Sequence, residues 1–134
     1  MEYSWTICYP DNEDIEEKGA IKRASILDTF CAYPWEDQLI LLQQLKENVS
    51  YNPSIRFTCE DKYWLELTAQ TNFDGSTGFS LWFNRPVIKK TLFGLLKDRN
   101  VFNVVDKEFS QESAITLLKL FIQKDYQRLN KHRI

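Results

Sequence analysis

Three short segments between residues 54 and 84 alternate apolar and polar side chains, and nothing else in the chain limits its fold as tightly. In "SIRFTCE", Ile55, Phe57 and Cys59 alternate with Arg56, Thr58 and Glu60. In "KYWLELTA", Tyr63, Leu65, Leu67 and Ala69 alternate with Trp64, Glu66 and Thr68. In "GFSLWFN", Phe79, Leu81 and Phe83 alternate with Ser80, Trp82 and Asn84. Side chains of a strand point alternately to its two faces, so this pattern predicts an antiparallel meander with one apolar and one mixed face. The break at Glu60-Asp61-Lys62 suits a tight hairpin, and "NFDGSTG" reads as a longer turn around Asp74-Gly75.

The apolar face needs a cover, and the rest of the chain supplies helical patterns. "PWEDQLILLQQLKENV" has Leu39, Leu42, Leu45 and Val49 at helical spacing, widened by Leu41. Pro34 suits its first turn, and Glu36 and Asp37 put negative charge at the positive end of the helix dipole. "SQESAITLLKLFIQKDYQRLNKH" predicts a terminal helix capped by Ser110, with Ile115, Leu118, Ile122, Tyr126 and Leu129 as its stripe and Leu117 and Phe121 beside it. "AIKRASILDTFCAY" fits a helical face, and "RPVIKKTLFGLLKDRN" fits one less well because of Gly94 and its β-branched start. "EYSWTICY" and "VFNVV" read as short strands. The expected fold class is α+β: an antiparallel sheet of about four or five strands with helices packed on one face, in a single domain of 134 residues.

The acids are unevenly spread. Five of the seven residues from 11 to 17 are carboxylates: Asp11, Glu13, Asp14, Glu16 and Glu17. Residues 1–67 carry 13 acids and 6 bases, a net of −7, and residues 68–134 carry 6 acids and 11 bases, a net of +5. Two readings of the acidic segment stand side by side. It is an exposed turn leading into a helix with acids in its first turn, or it is a patch that meets a positive partner. The basic C-terminal segment either complements the helix dipole and the acidic half or faces a partner of its own. A calcium loop is excluded by spacing. Counting from Asp11, the sixth position is Glu16 where an EF-hand needs glycine, and the twelfth is Lys22 where it needs glutamate. The overall net charge of −2 disfavours nucleic acid as the primary ligand.

Catalytic signatures are missing. The sequence has no GxGxxG, P-loop, HExxH or GxSxG motif, and its one histidine, His132, lies near the C-terminus. That leaves no Ser-His or Cys-His pair. A carboxylate-only enzyme needs just two acids, and Glu60, Glu66 and Glu108 are the candidates in a sheet context. Cys8, Cys31 and Cys59 are widely spaced, with no metal-ligand spacing, and read as reduced thiols, mostly buried. No catalytic residue, metal or cofactor is expected. "MEYSWTICYPDNED" has no secretory pattern and the longest apolar run, "LILL" at 39–42, is too short to span a bilayer, so the expected location is the cytoplasm, away from the membrane.

The mixed sheet face carries Trp64 and Trp82 among Arg56, Glu66 and Thr68. Either a helix covers this face and the indoles are core, or it is an aromatic patch rimmed by charge, the composition of a protein-binding hot spot.

In layout, the chain resembles the small bacterial immunity proteins that neutralise polymorphic or contact-dependent-inhibition toxins. The segments that carry the likeness are "FCAYPWEDQLILLQQL", the meander "IRFTCEDKYWLEL…GFSLWF", "TLFGLL" and "ESAITLLKLFIQKDYQRL". The resemblance implies a cytoplasmic α+β domain, monomeric or homodimeric, that has no catalysis of its own and binds one cognate protein toxin. An acidic patch would suit a toxin with a basic active site, such as a nuclease. Partner-binding residues are then expected at Asp11, Glu13, Asp14, Glu16, Glu17, Trp64, Glu66 and Trp82. A small carboxylate enzyme or ligand-binding domain with a pocket on the sheet face is the rival reading, and a subunit of a larger assembly is a third.

Overall fold

The structure is a computed structural model that describes residues 2–90 and 96–132, and for residues 84–90 and 96–109 the backbone alone. Strands β1 (Tyr3–Cys8) and β2 (Glu16–Ile21) form a hairpin, followed by helices α1 (Ile26–Ala32) and α2 (Trp35–Leu45). The meander β3 (Ser54–Cys59), β4 (Trp64–Thr71), β5 (Thr77–Lys90) and β6 (Leu96–Phe109) comes next, and α3 (Gln111–Ile122) and α4 (Tyr126–Asn130) close the chain. The six strands lie in the order β2-β1-β3-β4-β5-β6, and every pairing is antiparallel. The α+β class read from the sequence therefore holds, with one more strand than the upper expectation.

The register explains where the core sits. Tyr3, Trp5 and Ile7 lie opposite Cys59, Phe57 and Ile55; Ile55 and Phe57 lie opposite Leu67 and Leu65; Leu65, Leu67 and Ala69 lie opposite Phe83, Leu81 and Phe79. The apolar phases of four strands thus share one face. The helices bury Ile26, Phe30, Trp35, Leu39, Ala114, Leu117, Leu118, Phe121 and Leu129 against it. Fully burying one such Leu or Phe side chain contributes about 1.5–3 kcal/mol, so this single face supplies most of the driving force. Ring contacts knit the layers: Phe79 lies 5.1 Å from both Phe30 and Trp35, and the Trp35 indole N–H donates to the Phe30 carbonyl at 2.9 Å.

Several local expectations shift. The acidic segment does not lead into a helix. Glu16–Ile21 is an edge strand, and the helix starts only at Ile26 after a 3-10 turn at Arg23–Ser25. The reason is tertiary, because β1 offers a free edge and the hairpin satisfies it. Residues 85–90 and 96–100 belong to β5 and β6 rather than to a helix, and Thr91–Leu95 lie outside the described residues. The two strands outrun β4, whose pairing with β5 stops at Trp64↔Asn84, so Arg85–Lys90 pairs with β6 alone. Pro86 falls in that overhang, where a strand with one neighbour tolerates a missing N–H. The terminal helix breaks at Lys124, whose φ of 59° lies in the left-handed region. There the Lys124 N–H bonds to the Phe121 carbonyl and the Asp125 N–H to the Leu120 carbonyl, a Schellman stop. The Asp125 carboxylate then accepts from the Arg128 N–H and starts α4. Ser110 caps α3 as expected, its hydroxyl accepting from the Ser113 N–H. The buried stripe of α3 is Ala114, Leu117, Leu118 and Phe121, one step round from the expected one, with Ile115 and Ile122 half-buried. No helix among the described residues is long and apolar enough to cross a membrane.

Candidate functional site

The acidic segment is pinned at several points. The Ser50 N–H donates to the Pro10 carbonyl at 2.8 Å, and the Tyr51 hydroxyl donates to the Glu13 carbonyl at 3.0 Å. The Asn12 side chain accepts from the Asp14 N–H, bracing the turn. Every residue from Asp11 to Ala20 is exposed. Glu16 is ion-paired to Lys18 at 3.2 Å. A hydrogen bond from the Tyr9 hydroxyl, with Lys18 second, holds the Glu16 carboxyl below its ordinary range, while burial and this same carboxylate push Tyr9 up to about 12. Asp11, Glu13, Asp14 and Glu17 have no ion-pair partner among the described residues. Two bases of the C-terminal segment turn elsewhere: Lys124 pairs with Asp61 and Arg128 with Asp125. Among the described residues, the acidic segment therefore does not answer the basic end of its own chain.

The second candidate surface is the sheet face away from the helices. Among the described residues the helices bury their apolar residues against the opposite face, so none of them covers this one, although Trp64 is buried as a core indole would be. Thr6, Arg56, Glu66 and Trp82 lie in one row across β1, β3, β4 and β5. The Arg56 Nε donates to Glu66 Oε1 at 3.1 Å, and its guanidinium carbon stands 3.7 Å from the centroid of the Trp64 ring. Trp64 is 7% exposed and outside the main core cluster, whereas Trp82 is half-buried. Trp64 pairs in register with Asn84 and Trp82 with Glu66, so the two indoles are diagonal neighbours. Of the two, Trp82 is the more accessible.

The candidate acids do not assemble. Glu66 sits mid-strand with Arg56, Glu60 is exposed beyond the end of β3, and the side chain of Glu108 lies outside the described residues. Glu66 does not line the cavities along α2 or those at the β1–β2 end of the sheet. No group of three His, Cys, Asp or Glu among the described residues stands close enough to hold a metal ion. Of the three thiols, Cys8 and Cys59 are buried and Cys31 is exposed, so the expectation of mostly buried cysteines holds for two.

The sequence reading missed two features. Arg56 was read as one charge on a mixed face, yet it joins Trp64 to Glu66. Phe73, at the β4–β5 turn, is fully exposed, and Ile40 on α2 is 54% exposed. A cavity of about 340 Å³ lies between α2 and that turn, and an adjoining one of about 270 Å³, which shares Glu36 and Thr77, lies at the α1–α2 junction against Gln111. The signal for Phe73 was present: an aromatic held between Asn72 and Asp74-Gly75 in a tight turn has no core to reach. Comparison with known proteins gives no match, as no family model fits the chain and no curated protein or solved structure resembles it closely enough to count.

Proposed function

We propose that the chain is a non-enzymatic protein-binding domain, an immunity protein that acts in the cytoplasm by occluding the basic surface of a cognate bacterial toxin. The observation that carries this reading is the acidic segment: four exposed carboxylates without an ion-pair partner among the described residues, three of them on a turn braced by Tyr51 and Asn12 and the fourth, Glu17, on the strand that follows. A fixed, concentrated negative charge raises the encounter rate with a positive partner and selects against negative ones. The half-buried Trp82 beside Glu66 supplies an aromatic contact of the kind that anchors interfaces. A nuclease, whose active site must attract phosphates, is the toxin class that fits this charge. The ion pair of Glu66 with Arg56 lends no support to the rival carboxylate enzyme.

The test uses the protein encoded next to this chain's gene. Its association rate with the full chain is measured by stopped flow at low and high salt, for the wild type and for the combined Glu13→Lys, Glu16→Lys and Glu17→Lys variant. The reading expects tight binding, loss of the toxin's activity, and an association rate that falls about tenfold or more with salt or charge reversal. No binding would overturn the immunity reading. Salt-independent rates unchanged by the reversal would overturn the role of the acidic segment.

A further inference from the structure

β2 is the outermost strand of the sheet, hydrogen-bonded to β1 on one side only. Its residues 16–20 are exposed, and Ile21 at its end is half-buried against the core. An edge strand presents a row of backbone N–H and C=O groups to any extended chain that can lie beside it. Natural edges are usually guarded by lysines, prolines or bulges. This one has a bulge, where Trp5 faces Gly19 and Thr6 faces Glu17 with Lys18 between them, and Gly19 takes a φ of 88°. Its charges, however, are mainly of one sign. Glu16 and Glu17 lie on the strand, Asp11, Glu13 and Asp14 on the turn leading into it, and Lys18 is the one base in the stretch 11–18.

We infer that β2 is a strand-addition site whose occupant is an extended, lysine- or arginine-rich segment of the partner protein. Backbone pairing along Glu16–Ile21 supplies the geometry, and the carboxylates at its start select the basic sequence. A second copy of this chain is the wrong occupant, because it would bring the same five carboxylates to an already negative edge. The opposite edge, β6, carries Lys97, Asp98, Arg99, Asp106, Lys107 and Glu108, a mixture that selects no partner by charge. The site deepens the binding role proposed above and rests on the same acidic segment, but its test needs no toxin.

The probe is a synthetic ten-residue-scale peptide alternating lysine with valine, titrated into the isotope-labelled full chain and followed through backbone amide shifts. Two control peptides have the same length. One is methylated on alternate backbone nitrogens, which keeps the charge and removes the ladder donors, and the other has glutamate in place of lysine. Strand addition expects the largest shifts at Glu16–Ile21 and binding about tenfold or more tighter than either control. Glu13→Lys with Glu16→Lys and Glu17→Lys should weaken the lysine peptide by a similar factor, and because the methylated control alters only the probe, the test survives a variant that folds poorly. Equal binding of the methylated peptide would reduce the effect to charge attraction and overturn the inference. So would shifts centred elsewhere, no binding at millimolar peptide, or sedimentation showing a dimer that the peptide cannot displace. Peptide binding without toxin binding sinks the immunity reading alone, and toxin binding without peptide binding sinks strand addition alone.

Discussion

Replacing Arg56 tests how the open face of the sheet is held. The Arg56 side chain serves two neighbours at once, an ion pair to Glu66 at 3.1 Å and a stack at 3.7 Å on the ring of Trp64. The ring is 7% exposed, so the stack is largely shielded from water and falls in the range of about 0.5–2 kcal/mol. The ion pair is weaker, because the side chains of Arg56 and Glu66 are 37% and 20% exposed, and such pairs are worth about 0.2–1 kcal/mol. Arg56→Ala should therefore lower the unfolding free energy by about 1–3 kcal/mol, most of it through the indole. Glu66→Ala should cost less than about 1 kcal/mol. Arg56→Lys keeps the charge but loses the flat guanidinium, so it should recover the smaller part of the loss. The assay is urea unfolding of the four proteins in a double-mutant cycle of Arg56→Ala with Trp64→Leu. The coupling energy should be about 0.5–2 kcal/mol and should persist at about 1 M salt, where the Glu66 coupling is screened. A coupling under about 0.3 kcal/mol, within the ordinary error of additivity, would refute the stack as a stabilising contact.

Other outcomes follow from burial and capping. Phe79→Ala, at a ring with no exposed surface between Phe30 and Trp35, should cost about 3–5 kcal/mol in urea unfolding, whereas Phe73→Ser at the exposed turn should change stability by less than about 0.5 kcal/mol. Ser110→Ala removes the acceptor for the Ser113 N–H and should cost about 1 kcal/mol, with Ser110→Gly costing only a few tenths. Burial, followed by the neighbouring Cys59, pushes Tyr3 up to about 12, and burial likewise raises Tyr126 beside Asp61. A folded-state value above the unfolded value of 10.0 gives stability that is complete below pH 10 and is lost as the pH rises toward 12. Alkaline unfolding followed by tyrosinate absorbance should start in that window, and a protein equally stable at pH 9 and pH 12 would contradict the burial of Tyr3.

The fold was legible where period and tertiary demand agreed. The alternations at 54–60, 62–69 and 78–84 mark faces that the register then stacks, because a strand with one buried side must show period two. It was illegible where a pairing partner decided the outcome. "EEKGAI" has no apolar alternation at all, and it becomes a strand because β1 needs a neighbour on its open side. "RPVIKK" contains both a helical spacing and β-branched residues, and the long hairpin with β6 selects the second. The end of α3 was hidden for a different reason. A Schellman stop normally advertises itself with glycine, and here Lys124 takes the left-handed position, at a cost repaid by the bonds of Lys124 and Asp125 to the preceding turn.

The candidate residues divide by how far their interactions are already met within the fold. Trp64, Arg56 and Glu66 satisfy one another, so a partner that used Trp64 as an anchor would first have to displace the guanidinium and forfeit its stack. The acids at 11, 13, 14 and 17 have no such prior commitment among the described residues, and charges of that kind chiefly change the rate of encounter. An interface built on this chain therefore has its steering on the β1–β2 turn and needs its affinity from elsewhere. The backbone of β2, whose outer side lies open, is within reach of that turn, as are the exposed Ile15 on the turn and Tyr51 bonded to it. Trp82 lies four strands across the sheet from β2, so a partner that engaged both would have to span β1, β3 and β4 between them. A partner that paired with β2 alone would leave Trp82 untouched. Trp82→Ala separates the two: an unchanged dissociation rate assigns the affinity to the edge, and a dissociation rate about tenfold faster assigns a central share to the open face.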